Sequence, residues 1–415
     1  MIATPLRAAL LTREYPPEVY GGAGVHVAEL ARALAALEGD DAVDVAVHAF
    51  GAERDDPLVA ASHRHDPQVL DGALVGDAPE LAALRVLATD LAMVAHVGAG
   101  GAPDVVHSHT WYANLAGHLA ALAHDVPHVV TTHSLEPLRP WKREQLGGGY
   151  ALSSWVERTA LTHADAVVAV SEGMKADVLA SYRAVDPERV TVVHNGIDPD
   201  RWRPTFDEAV LAGHGVDPER PYAVFVGRIT RQKGVTHLLD AVAHLPAGTQ
   251  LVLAAGAPDT PEIAAEFRAR VAALADAPAD VVWIERMLPQ DEVVVLLSHA
   301  RVFVCPSIYE PFGIVNVEAM ACGTAVVASA VGGIPEVVVE GETGHLVAFE
   351  AGDDAYGSPA DPEGYARDLA AAVATLLHDA DAAAAMGAAG RRRVEARFTW
   401  AAIAARTAAL YRSLV

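Results

Sequence analysis

Short runs rich in β-branched residues alternate with longer Ala/Leu-rich stretches along almost the whole chain, and the alternation breaks once and then restarts. Runs of this kind suit strands buried on both faces, and the stretches between them suit covering helices. The pattern therefore predicts parallel sheets with helices on each side. Strands are expected at Leu6–Thr12, Val43–Ala49, Val105–Ser108, His128–Thr132, Ala166–Val170 and Val190–His194, then at Tyr222–Val226, Gln250–Ala255, Val281–Ile284, Val302–Cys305, Ala325–Ala328 and His345–Val347. Helices are expected over Val25–Leu37, Val235–Leu245 and Ile314–Ala321. The break is HNGIDPDRWRP, where an Asn-Gly pair and two prolines punctuate the chain. At 415 residues the chain outgrows one core. The reading is an α/β chain of two Rossmann-like, parallel-sheet domains, residues 1–195 and 221–395, joined by a linker over 196–220. Phe398, Trp400, Ile403, Leu410 and Tyr411 give the closing segment, 396–415, one apolar face. That segment is expected to form a helix that returns to the first domain.

Open parallel sheets bind ligands at the carboxyl ends of their strands, so two facing sheets would enclose a cleft and chemistry is sought just after strands. Charge narrows the ligands. Thirty basic against 54 acidic residues give a net charge of −24, which opposes nucleic-acid backbones and anionic membranes. No uncharged apolar run reaches the roughly 18 residues of a membrane span, and LRAALLT is too short for a leader. A cytoplasmic enzyme without nucleic-acid or membrane partners is expected. The two cysteines, Cys305 and Cys322, each sit in an apolar run and read as buried thiols, since no disulfide framework or zinc spacing accompanies them.

Four segments lie where chemistry is expected. Ser307 to Ala319, SIYEPFGIVNVEA, follows a strand and enters a helix whose first amides, near Phe312–Val315, make an anion site. Glu310 precedes that turn and suits sugar hydroxyls, while Glu318, farther along the helix, suits ribose hydroxyls. Next, VGRITRQKG places Arg228 and Lys233 around a glycine-containing strand-end loop, two cations able to hold a diphosphate as its charge grows. Third, Tyr20-Gly21-Gly22-Ala23-Gly24-Val25-His26 follows the first strand. Val27 stands where a dinucleotide fingerprint needs its last glycine, which weakens an oxidoreductase reading and leaves a loop able to touch phosphate or sugar. Fourth, Thr131-Thr132-His133-Ser134 aims His133 beyond a strand end, with His26, His107 and His109 at comparable places. The paired aspartates Asp40-Asp41, Asp55-Asp56 and Asp353-Asp354 read as solvated surface, so no metal site is expected. Nucleophile-elbow and P-loop motifs are missing, which removes the usual anchors of hydrolases and NTPases.

Taken together, these segments resemble the retaining nucleotide-sugar glycosyltransferases of GT-B fold, over essentially the whole chain. THSLEPLRPWKREQLGGGYALSSWVERTAL, GRITRQKGVTHLL and CPSIYEPFGIVNVEAMACGTAVVAS are similar to the actinobacterial group of glycogen synthases and α-maltose-1-phosphate synthases. The resemblance implies transfer of glucose from ADP-glucose into α-1,4 linkage with retained configuration, without metal or cofactor. Arg228 and Lys233 would hold the diphosphate, Glu310 the transferred glucose and Glu318 the ribose. The backbone of Gly313, Ile314 and Val315 would meet glucose and phosphate, His133 the glucose, and Gly22 the diphosphate. Backbone around Arg286–Leu288 would read adenine. The longer synthases carry a Lys-x-Gly-Gly loop where this chain has Val19-Tyr20-Gly21-Gly22, so that lysine's phosphate contact is absent or supplied elsewhere.

The acceptor stays open between glucose-1-phosphate and the end of a glycogen chain. A phosphorylated acceptor needs cations in the first domain, for which Arg13, Ser134, Arg139, Lys142, Arg143 and Arg158 are the candidates. A lipid- or small-molecule-directed transferase of the same fold, using a GDP- or UDP-sugar, is the rival; its membrane-facing basic helix is not evident in so acidic a chain. A non-catalytic nucleotide-sugar-binding protein would not need Arg228, Lys233 and Glu310 together. Homodimerisation is left open.

Overall fold

A computed structural model describes residues 5–19, 21–63, 81–139, 149–256, 258–354 and 356–415. The chain forms two compact units, Met1–Gly196 with Trp400–Val415, and Ile197–Thr399. In the first, strands β1 (Leu6–Thr12), β2 (Val43–Phe50), β3 (Val59–His63), β4 (Val105–His109), β5 (His128–Thr132), β6 (Ala166–Ala169) and β7 (Val190–Val192) make one parallel sheet. Their order is β3-β2-β1-β4-β5-β6-β7. Strand order reverses between β1 and β4, the switch point at which such sheets open a crevice. Register there sets Thr12 beside His109 and His109 beside Thr131.

The second unit repeats the scheme with β8 (Tyr222–Arg228), β9 (Gln250–Gly256), β10 (Asp280–Ile284), β11 (Val302–Cys305), β12 (Ala325–Ser329) and β13 (Gly344–Val347), in the order β10-β9-β8-β11-β12-β13. Its switch point lies between β8 and β11. Arg228 is the last residue of β8, and Ser307 to Glu310 come directly after β11. Strands β9, β11 and β12 are buried throughout, which is why their sequences run apolar without alternation.

Several expectations are corrected. Residues 196–220 are not a free linker. Ile197, Leu211 and Val216 are buried, the amides of Thr205 and Asp207 donate to Ser298 Oγ and His299 Nε2, and Glu208–Gly213 is helical, so from Ile197 this stretch belongs to the second unit. The return lies at Trp400 rather than 396, because Phe398 packs edge-on against Phe312 of the second unit. The last helix, Trp400–Leu414, turns Trp400, Ile403, Ala404, Ala408 and Tyr411 into the first unit's core. Leu410 packs at the margin of that core. Strand β3 was not expected: it lies at the sheet edge, half-buried, and VAASH lacks the apolar run of a central strand. The first helix begins at Gly22 rather than Val25, and the expected helix over Val235–Leu245 is α-helical only to Ala241 before a 3-10 turn at Val242–His244.

Candidate active site

In the second unit the sequence brings two cations and a carboxylate to the switch point. Lys233 Nζ donates to Glu310 Oε2 at 2.6 Å, and Ser307 Oγ donates to the same oxygen at 3.1 Å. Burial works against the Lys233 charge, but the Glu310 carboxylate outweighs it and holds the ammonium above its ordinary pKa. Arg228 is close enough to oppose that charge, and its own guanidinium pairs with Asp259 Oδ1 at 3.2 Å. Both cations thus carry a carboxylate partner; Glu310 stands among the residues the sequence points to, whereas Asp259, the partner of Arg228, does not. An Asp just past β9 in GAPD was the available signal for it.

Two glycines fix Glu310. Gly313 has φ +89° and caps the helix Ile314–Ala321; a Cβ on it would stand 2.5 Å from Asn316 Nδ2 and 3.3 Å from Glu310 Cγ. Gly332 has φ +53°, and a Cβ there would lie 2.0 Å from the Glu310 carbonyl oxygen. Only glycine combines that backbone with that approach. The Gly333 amide donates to the same carbonyl at 2.9 Å. The first amides of the helix, those of Ile314 and Val315 among them, begin without in-helix acceptors, the arrangement that favours an anion. Glu318, on that helix, is pushed up to about 8 by burial, with Lys233 pulling the other way, so its carboxyl faces the same charge. Gly256 lets the backbone of Arg286 and Met287 approach, since a Cβ on it would sit 2.6 Å from Arg286 C.

Of the first-unit residues, His133 joins His26 and His109 in one cluster. His109 Nδ1 and His133 Nε2 are 3.2 Å apart, and the His26 ring lies 4.7 Å from that of His133. The His107 ring lies 4.2 Å from that of His109, tilted by 33°, and is held by Tyr411 Oη at 2.6 Å and Thr131 Oγ1 at 2.7 Å. Burial, then the neighbouring histidines, push His109 and His133 well below the ordinary imidazole range, so the cluster is neutral. Gly22 is exposed in the first helical turn with open space around it, whereas Gly24 is the packed glycine, its Cβ position 2.7 Å from Glu14 Cβ. Tyr20 lies outside the described residues.

The candidate acceptor cations are held in different ways. Arg139 pairs with the buried Glu136, Arg13 lies 4.0 Å over the Tyr112 ring, Arg158 is exposed and Ser134 half-buried. Arg139 is therefore engaged by a carboxylate rather than offered as an open cation. Lys142 and Arg143 lie outside the described residues.

Two parallel switch-point sheets, the second carrying a cation-rich strand end against a helix start, are the architecture of a GT-B glycosyltransferase, and comparison with known proteins agrees. Residues 20–201 match the family described as Glycosyltransferase Family 4, and residues 207–393 match Glycosyl transferases group 1. The chain is 55% identical over 412 residues to an α-maltose-1-phosphate synthase of Mycolicibacterium smegmatis, covering 99% of this chain and all of that protein. It is 31% identical over 438 residues to a glycogen synthase of Mycobacterium tuberculosis, covering 98% and 94%. A sucrose-phosphate synthase structure from Thermosynechococcus elongatus shares the fold with a TM-score of 0.75 and 27% identity, covering 99% of each chain. The chain belongs to the GT-B glycosyltransferases. It is an enzyme that transfers a glycosyl group. Among the described residues no single helix is long and apolar enough to cross a membrane.

Proposed function

We propose that this enzyme transfers glucose from ADP-glucose to glucose-1-phosphate, giving α-maltose-1-phosphate and ADP with retained configuration. The observation that carries it is the Lys233–Glu310 pair beside Arg228 and the Gly313 turn, a charge arrangement suited to a diphosphate bearing a sugar. The choice of substrates is supported by the full-length likeness to the Mycolicibacterium smegmatis α-maltose-1-phosphate synthase. Glycogen elongation is the second reading, favoured by the 31% likeness to a glycogen synthase.

In this reading Lys233, Arg228 and the amides at the start of Ile314–Ala321 bind the diphosphate and stabilise the negative charge that grows on it as the bond to glucose C1 breaks. Glu310 accepts from glucose hydroxyls while orienting Lys233, Glu318 meets the ribose, and backbone around Arg286–Leu288 meets adenine. In the first unit, His133 is the residue proposed to contact a glucose. The acceptor 4-hydroxyl oxygen bonds to C1 on the face that the leaving group vacates, and its proton passes to a departing phosphate oxygen. The candidates for the acceptor's cations are Arg13 and Arg158, with Lys142 and Arg143 from the sequence; Arg139 is already paired with Glu136. No metal is used, and the enzyme works in the cytoplasm.

Phosphorus NMR of the enzyme with ADP-glucose and glucose-1-phosphate, after chelator treatment, tests this. ADP and an α-configured disaccharide phosphate are expected in equal amounts. No new phosphate ester, with glycogen extended under the same conditions, would replace the proposed acceptor by glycogen; dependence on added divalent cation would remove the metal-free mechanism.

A further inference from the structure

The histidine cluster of the first unit has a chemistry of its own. His26, His109 and His133 each offer one ring nitrogen, and the three atoms lie within 4.8 Å of one another. They come from three elements: the helix Gly22–Ala35, the end of β4, and the residue following β5. His26 and His109 are buried and His133 is half-buried.

From this geometry we infer that His26, His109 and His133 form a binding site for a divalent transition-metal ion of the zinc type. Imidazole nitrogens are ligands suited to zinc, copper and nickel. With Zn–N bonds of 2.0–2.1 Å, two ligands of a tetrahedral ion stand about 3.3 Å apart. The 3.2 Å between His109 Nδ1 and His133 Nε2 matches one such edge. The third ligand comes from His26, whose ring lies 4.7 Å from that of His133. His107 supports the arrangement: Tyr411 and Thr131 bond both its nitrogens, which excludes it as a ligand and fixes the ring that packs, tilted, against His109. If His133 also touches the transferred sugar, as the proposed function has it, a bound ion competes with substrate and inhibits.

The test reads binding and not turnover, so it is independent of that function. The full chain is titrated with Co²⁺ alone, followed by its visible absorption, and with Zn²⁺ in competition. One equivalent is expected, with an affinity at least about tenfold weaker in His109→Gln and in His26→Gln, as for loss of a metal-site residue, and unchanged in His63→Gln, which alters a separate histidine pair. Absence of stoichiometric binding, or binding lost in His63→Gln and retained in His109→Gln, overturns the proposal. X-ray absorption of the wild-type chain loaded with one equivalent of Zn²⁺ does not depend on any variant folding. Three imidazole ligands support the site, and one or none rejects it.

Discussion

At the residue scale, the site rests on charges held for use by their partners. Lys233 is oriented by Glu310, and Glu310 is in turn set by Ser307 and by the close approach of Gly332 to its backbone. Replacing Lys233 by alanine removes a preorganised charge and leaves a mostly buried carboxylate without its cation. Turnover is expected to fall about 100–1,000-fold, as for loss of one preorganised stabilising contact, with about 1–3 kcal/mol of stability lost to the unpaired group. Steady-state kinetics and a thermal melt of Lys233→Ala read the two effects separately. Wild-type turnover in that variant would remove the lysine from the chemistry. The individual charges were legible in the sequence because they follow strand ends. Their pairing was not, because Lys233 and Glu310 are 77 positions apart and no local pattern links them.

At the scale of elements, the helix Gly149–His163 and the 3-10 turn Glu136–Leu138 share a buried acidic network. Glu157 Oε1 accepts from the Glu136 amide at 2.9 Å and from the Tyr182 hydroxyl, while Ser153 Oγ donates to Glu136 Oε2 at 2.7 Å. Burial, then repulsion from Glu136, raises the Glu157 carboxyl from 4.5 to about 7. The folded state therefore binds a proton there that the unfolded chain has released. Stability is fully present below about pH 4.5 and declines as pH rises toward about 7. The loss amounts to at most about 3 kcal/mol, from 1.36 kcal/mol per pKa unit. Urea melts between those limits are expected to show this slope in the wild type and a flatter one in Glu157→Gln; equal slopes would place the proton elsewhere. Strands in the middle of each sheet were legible as apolar runs, and the helix Ile314–Ala321 was read end to end. Edge strand β3 escaped because it is half-buried and short. The His26–His109–His133 cluster was only partly legible: each histidine was noticed at a strand end or helix start, but the register that sets β1, β4 and β5 abreast is a property of the sheet.

At the scale of the whole molecule, the second unit is one continuous stretch, Ile197–Thr399, and the first is made of two. The chain enters and leaves the second unit side by side, where the Ile197 amide donates to the Phe398 carbonyl at 2.6 Å. A fragment spanning 197–399 is expected to fold alone and melt cooperatively. Residues 1–196 without the last helix are expected to lack a stable core, since Ile403, Ala404, Ala408 and Tyr411 are fully buried there and each large apolar side chain contributes about 1.5–3 kcal/mol. Circular dichroism melts of the two fragments check this; a cooperative transition in 1–196 would show that the returning helix is dispensable. Roughly where the chain changes domain was visible in HNGIDPDRWRP, but not the side to which those residues pack, which depends on contacts with Ser298 and His299.

That divided first unit has a consequence for how the protein is made. A ribosome delivers the first unit's sheet well before the helix that seals it, so that sheet must wait, with its apolar surface open, until the segment from Trp400 has been made. Residues 197–399 can therefore complete their unit before the first unit has all of its core. A nascent chain stalled just short of Trp400 would carry one complete unit and one whose apolar surface still awaits its covering helix, which makes residues 400–415 the step that closes the first unit's core.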